Sequence, residues 1–343
     1  MLRFLTLLAA ACLLAACGQP EPWRQESYVF GTRVELAIAG VPEARARAAA
    51  DKVLRDFDVL HRTYHAWQPS ELTALNAAIA ADKPHDVTTE LAGFIAEAQR
   101  ISAQGDHLFD PGIGRLVALW GFQSEEFRAD LPDPAARAAW QHAAPSIADL
   151  RIAGGKVSSA KREVALDFGG YLKGVALDRA AAALREAGIA NALINIGGNV
   201  MALGSKHGEP WRVGIQHPRQ PGALATLQLH DGEAIGTSGD YQRFFELDGK
   251  RYCHLLDPRS AAPVTHTQSL TVLIRAGEGT GMRSDAGSKP LFIGGREEWR
   301  RLARKLEVAD VLRVDADGSI QVTRSFAGRL KFEAGVPSPE IIE

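Results

Sequence analysis

Apolar and polar residues alternate over residues 28–38 (YVFGTRVELAI), a period of two that predicts a strand interrupted at Gly31. The period then changes. Ala46, Ala50, Val53, Leu54, Phe57 and Leu60 fall at helical spacing within residues 42–61. A polar loop carrying Thr63-Tyr64 leads to a short helix over Ser70-Glu71-Leu72 and Leu75-Asn76. Thr88 or Thr89 is placed to cap a helix whose Leu91, Phe94, Ile95, Ala98 and Ile101 share one face, with Gly105 ending it. His107-Leu108-Phe109-Asp110-Pro111-Gly112 reads as a turn, in which Asp110 taken alone is a turn or cap carboxylate. A helix with Leu116, Leu119 and Trp120 follows, and residues 123–146, rich in Ala, Pro and charge, are expected at the periphery.

Residues 164–166 predict a short strand running into a Gly-rich turn, Asp167-Phe168-Gly169-Gly170-Tyr171-Leu172-Lys173-Gly174, and then a helix through Leu177, Ala180, Ala181 and Leu184 that Gly188 stops. Further strands are expected at residues 192–196, 211–216, 225–229 and 269–275. Trp299, Leu302, Ala303 and Leu306 mark a helix over 296–308, and residues 311–314 and 320–326 flank Asp317-Gly318 as a terminal hairpin. Residues 235–258 form an alternating stretch broken by Asp248-Gly249, a dipeptide suited to a type I′ turn. That hairpin is expected to bring two polar runs, Thr237-Ser238-Gly239-Asp240-Tyr241 and His254-Leu255-Leu256-Asp257-Pro258, together at its open end.

Charge removes one class of partner: 39 basic residues face 41 acidic ones, for a net charge of −2 with no block of like sign, so nothing favours nucleic acid. The start changes the picture more. Met1-Leu2-Arg3 precedes an apolar run over 4–16, the pattern of a secretory signal and too short to span a membrane. Leu14-Ala15-Ala16-Cys17 resembles a bacterial lipobox, which implies cleavage after residue 16, acylation of Cys17 and a tether over 17–26 ahead of one domain over 27–343. The implied address is the bacterial cell envelope, lipid-anchored and facing the periplasm. Only Cys253 then remains, beside His254; on a strand the two point to opposite faces, so Cys253 is expected in the core.

The Gly-rich turn is the first candidate for chemistry. A strand, a turn and a helix start converge free backbone N–H groups and the positive end of the helix dipole, and Lys173 adds a full charge, which makes an anion site. Alternatively, Gly169 and Gly170 only permit close packing.

Taken together, Phe30-Gly31-Thr32, Tyr64, Ser70-Glu71, Leu75-Asn76, Phe109-Asp110-Pro111, Leu119-Trp120-Gly121-Phe122, Leu166-Asp167 with Lys173-Gly174 and Asp178, Asn195-Ile196-Gly197-Gly198-Asn199, the two polar runs and Asp285 are similar in kind and order to the ApbE family of FAD:protein FMN transferases. The resemblance spans nearly the whole chain after the signal. It implies an α+β fold of mixed and antiparallel sheets flanked by helices, related to the T-fold, and transfer of FMN from FAD to a Thr or Ser hydroxyl of an acceptor flavoprotein in a membrane-associated redox system, releasing AMP. Alternatives are an FAD pyrophosphatase, giving FMN and AMP, and a lipoprotein that holds FAD without turnover. By the same resemblance Asp167 and Lys173 hold part of FAD, Thr237, Ser238 and Gly239 donate hydrogen bonds to it, Phe30, Tyr64 and Phe109 supply apolar contact, and Asp110 accepts from a ring N–H or sugar hydroxyl. His254 is the candidate to contact the phosphates or take the acceptor's proton.

Besides a small departure at Ala261-Ala262-Pro263, where the family commonly has Gly before the Pro region, one position departs in a way that bears on the chemistry. An Asp, a Thr four residues later and a carbonyl of the Gly-rich turn usually bind a divalent metal; here these are Asp285, Lys289 and the carbonyl of Gly170. Either Mg²⁺ still binds through Asp285, Gly170 and FAD oxygens with Lys289 swung away, or Lys289 replaces the metal's charge, which makes both Asp285 and Lys289 catalytic candidates. Pro290 disfavours a regular helix at Lys289.

Overall fold

The computed structural model describes residues 21–124 and 126–343; the signal segment, Cys17 and the start of the expected tether lie outside the described residues. The first alternating stretch is two strands, Trp23–Val29 (β1) and Thr32–Ala39 (β2), paired antiparallel. Phe30 and Gly31, at φ 57° and 67°, turn the chain between them. The interruption at Gly31 is therefore a reversal of direction, and residues 23–26, expected in the tether, are part of a paired strand.

Seven more strands complete a nine-stranded sheet: Asn191–Ile196 (β3), Asn199–Leu203 (β4), Ala234–Gly239 (β5), Thr267–Ile274 (β6), Asp310–Asp315 (β7), Ile320–Thr323 (β8) and Glu340–Ile342 (β9). Their order across the sheet is their order along the chain, and every neighbouring pair is antiparallel except β8 and β9. Four long helices accompany it: Glu43–Thr63 (α1), Thr89–Gln104 (α2), Leu172–Glu186 (α3) and Thr280–Lys305 (α4). One face of the sheet buries Leu36, Ile194, Leu270 and Val272 against Phe57, Ile95, Leu177 and Phe292 of these helices. The opposite face packs Val200, Ile235 and Leu312 against Trp211, Val213 and Leu227 of a three-stranded sheet. The fold is α+β, as the family resemblance implies.

Local expectations hold where the signal is local. Thr88 Oγ1 accepts from Leu91 N at 3.1 Å and caps α2, and Ser70 makes a capping box with Thr73. Phe244–Leu247 and Lys250–Cys253 form the hairpin around Asp248 and Gly249, at φ 50° and 72°. Three expectations change. Thr237-Ser238-Gly239 lies in β5 and pairs with Ser269 to Thr271 of β6, so the large sheet and not the small hairpin holds that polar run. The strand at 164–166 is a single bridge from Ala165 to Ile113. The terminal hairpin ends at Thr323, and Arg324–Ala327 is a helical turn.

The helix expected from residue 296 is present, and a second helical segment from Thr280 precedes it; the two join in α4 at Gly295, whose φ of 69° and ψ of −173° are not helical. Gly281, Gly287 and Pro290 make its first half a poor helix by propensity, and tertiary contacts hold it. Asp178 of α3 accepts from Gly281 N at 2.7 Å and Met282 N at 2.9 Å, capping α4 from outside. Pro290 fits against Gly105, where a Cβ would stand 2.7 Å from the ring. At Gly174, a Cβ would stand 2.5 Å from Gly281 O and 2.6 Å from Met282 Cα, both backbone. Gly174→Ala is therefore expected to cost about 1–3 kcal/mol by forcing α3 and α4 apart. Urea denaturation reads this as a lower midpoint; an unchanged midpoint contradicts the close crossing.

Candidate active site

The first turn of α3, the middle of α4's straight half and the chain leaving the small hairpin meet at one place. Tyr171 precedes α3 without a side-chain cap; of the helix's first N–H groups, Leu172 N donates to Phe168 O at 2.9 Å and Gly174 N to Asp285 Oδ2 at 2.9 Å. Asp167 shapes the turn before it: Oδ1 accepts from Gly169 N at 2.8 Å and Oδ2 from Trp67 Nε1 at 3.3 Å. Asn76 clamps the same segment in both directions, donating to Leu166 O at 2.9 Å and accepting from Leu166 N at 2.7 Å. Lys173, on the first turn, donates to Gly169 O at 3.0 Å; no carboxylate pairs with it among the described residues.

Asp285 and Lys289 face each other one turn apart on α4, continuous through Pro290 despite that residue. The Lys289 ammonium is ion-paired with Asp285 Oδ1 and also donates to the Asp285 carbonyl at 2.7 Å. Asp285 Oδ2 accepts from Gly174 N at 2.9 Å. Burial pushes the Asp285 carboxyl up, but Lys173, Lys289 and the Gly174 N–H outweigh it and hold it down at about 2. Burial pulls Lys289 below the ordinary lysine value, while Asp285 opposes that pull. Gly170 is where the lysine stem passes: a Cβ there would stand 3.1 Å from Lys289 Cε and 3.6 Å from Phe109 Cε2.

His254 sits beside these groups. Its Nδ1 lies 3.1 Å from the Arg243 carbonyl; a carbonyl only accepts, so Nδ1 carries the hydrogen and Nε2 presents a lone pair. Burial, then Arg243, Lys173 and Lys289, pull its pKa down to about 3, so the ring is neutral at working pH. Arg243 donates to Phe122 O at 2.6 Å and lies over the rings of Trp67 and Phe127.

Thus Asp167, Lys173, Gly170, Phe109, His254, Asp285 and Lys289 lie in one neighbourhood. Phe30 borders it, half-buried against Phe57 and His61, with Gly31 next to Arg243. Thr237 shares a hydrogen with Thr271 at 2.9 Å, and Gly239 lies under the Tyr241 ring. Ser238 is 4% exposed and bonds Ser288 at 2.8 Å. Ser288 donates its own hydrogen to Asp285 O, so the Ser238 hydrogen is spent inward and does not serve a ligand.

Two further expectations are corrected. Tyr64 is buried in the core, 3% exposed, with its hydroxyl on Glu90 at 2.6 Å and its ring on Phe94; it has no face to offer a ligand. Asp110 is spent on its own loop, accepting from Gly112 N at 2.7 Å, Ile147 N at 2.8 Å and Ser146 Oγ. Cys253, by contrast, is in the core as expected, its thiol pushed up to about 12 by burial. Asp257 holds Arg259 at 2.9 Å and orients its loop.

With the Lys289 ammonium on it, Asp285 presents no free carboxylate to a divalent ion. Among the described residues no three His, Cys, Asp or Glu side chains cluster as metal ligands. Asp285 has both oxygens engaged, one of them by an ammonium that repels a metal. Sequence reasoning missed Trp67, Arg243 and Ser288. Arg243 stood two residues beyond Tyr241 in a polar run; Trp67 and Ser288 carried no local signal.

The ApbE family model matches residues 30–312. An FAD:protein FMN transferase of Rhodobacter capsulatus is 40% identical over 98% of this chain, which spans 65% of that relative's length. One from Klebsiella pneumoniae is 30% identical over 88% of this chain and 89% of its own length. Among solved structures, the ApbE protein of Thermotoga maritima superposes with a TM-score of 0.81 at 26% identity, covering 90% of this chain and 99% of that one. The flavin transferase ApbE of Vibrio cholerae gives 0.77 at 26% identity, covering 90% and 99%.

The His254 shift sets a pH dependence. The unfolded ring titrates near 6.5 and the folded one near 3, so the unfolded chain binds more protons between them. Stability from this residue is whole above about 6.5 and is lost as pH falls toward 3. Urea denaturation across this window is expected to show a slope, up to about 1.4 kcal/mol per pH unit, that His254→Gln removes. Equal slopes in the two proteins would contradict a buried neutral ring.

Proposed function

The chain belongs to the ApbE family, and on that premise we propose that it transfers FMN from FAD to a Thr or Ser hydroxyl of an acceptor flavoprotein. The observation that carries the reading is His254: a ring with Nδ1 anchored on a carbonyl and Nε2 free, among Lys173, Lys289 and Arg243. A diphosphate bound there brings negative charge to balance those cations, and its field raises the basicity of His254 when a base is needed.

In this account the diphosphate of FAD lies at the first turn of α3, where the Lys173 ammonium and the positive end of the helix dipole favour an anion. The acceptor oxygen attacks the FMN-side phosphorus and gives its proton to His254 Nε2. A P–O bond forms to the acceptor; the bond from that phosphorus to the bridging oxygen breaks, and AMP departs with the electron pair. Little covalent chemistry falls to the protein beyond positioning and charge neutralisation. Phe30, Trp67 and Phe109 supply apolar surface beside the cationic groups.

Incubating the protein with FAD and a candidate acceptor is expected to give the acceptor the mass of one FMN by mass spectrometry. His254→Ala is expected to lower the rate by about 10²-fold or more while FAD still binds. Free FMN and AMP with an unmodified acceptor would make the protein a pyrophosphatase, and intact FAD throughout would make it a binding protein. For the address, we propose a lipid anchor at Cys17 in the periplasmic face of the envelope, on the lipobox pattern of residues 14–17. Cys17→Ser is expected to move the protein from the membrane to the soluble fraction; equal partition of both forms would refute the anchor.

A further inference from the structure

From the surroundings of Asp285 we infer that Lys289 is the resident cation of this site, so that the chain handles the diphosphate of FAD without a bound divalent metal. The inference rests on the FAD-binding reading above for its ligand and on geometry for its mechanism. Asp285 is wholly buried and the Lys289 side chain is 11% exposed. The ammonium is held by the Asp285 carboxylate and, at 2.7 Å, by the Asp285 carbonyl. Gly174 N takes the other carboxylate oxygen at 2.9 Å, and Ser288 Oγ also donates to the carbonyl at 2.8 Å.

The space that a metal would need is filled. The Lys289 stem runs over Gly170, so the ammonium side chain lies between the Gly-rich turn and Asp285. Pro290 fixes the turn of α4 that carries it, since its ring is lodged against Gly105. A hard divalent ion asks for about six oxygen ligands; this position offers one carboxylate already neutralised by a group with no lone pair. Asp285 and Lys289 together are neutral, which leaves Lys173, unpaired with any carboxylate among the described residues, to supply net positive charge at the start of α3.

Mn²⁺ titration of the whole chain, followed by electron paramagnetic resonance with and without FAD, tests this, with flavin fluorescence reporting FAD affinity separately. The wild-type protein is expected to bind no stoichiometric Mn²⁺ in either state, and chelation is expected to change its FAD affinity by less than about twofold. Lys289→Thr uncovers Asp285 and Gly170 and places a hydroxyl in reach; it is expected to bind one Mn²⁺ with FAD present and to lose at least about tenfold in FAD affinity on chelation. One Mn²⁺ per wild-type chain, abolished by Asp285→Asn, would overturn the inference. If the threonine variant does not fold, the wild-type titration decides alone. A chain that binds no FAD would refute the transferase reading; one Mn²⁺ on the FAD-free chain, abolished by Asp285→Asn, would separately overturn Lys289 as the resident cation.

Discussion

The site depends on a buried carboxylate. Asp285 has no access to solvent, and a buried anion persists only where it is paired and hydrogen-bonded. Lys289 from the same helix and the backbone of Gly174 from the neighbouring one meet that requirement together. The second contact exists only because α3 and α4 cross with glycine against glycine at Gly174 and Gly281. The close crossing, the capping of α4 by Asp178 and the placement of Lys173 are thus parts of one constraint. Shifting the helices apart would strand a charge, which is more costly than the packing itself.

That constraint reaches the sheet as well. Gly236 of β5 lies under α4, where a Cβ would stand 2.1 Å from Ser284 O, and Ser238 two residues on reaches Ser288 of the same helix. The polar run in β5 therefore supports α4 from below. The imidazole comes from a different element, the chain just after the small hairpin's second strand, and its orientation is set by the Arg243 carbonyl that precedes the first strand. Cations from α3, α4 and the hairpin converge on it.

The parts legible in the sequence were those whose cause is local. Asp248-Gly249 dictates its turn through two positive φ angles, and the stripe from Leu91 to Ile101 dictates α2. The first half of α4 was not legible, because its Gly, Ser and Pro residues oppose helix formation and the forces that overcome this come from Asp178 and Gly105, far away in the chain. Tyr64 and Asp110 show the opposite failure. Each belongs to a motif of the family resemblance, yet each polar tip finds an internal partner, Glu90 or Ser146, that no spacing rule names. The ion pair between Asp285 and Lys289 was legible as an i, i+4 possibility; that it holds through Pro290 was not.

The proposed function asks the start of α3 to hold an anion beside Lys173, with Asp285 already neutralised by Lys289. A crystal structure of the chain grown with FAD and Mn²⁺ tests that claim most directly. The account predicts the diphosphate at the first turn of α3, in contact with Lys173 and within reach of His254, and no anomalous peak for manganese beside Asp285. A manganese ion on Asp285 with Lys289 displaced, or a diphosphate bound away from this turn, would contradict it.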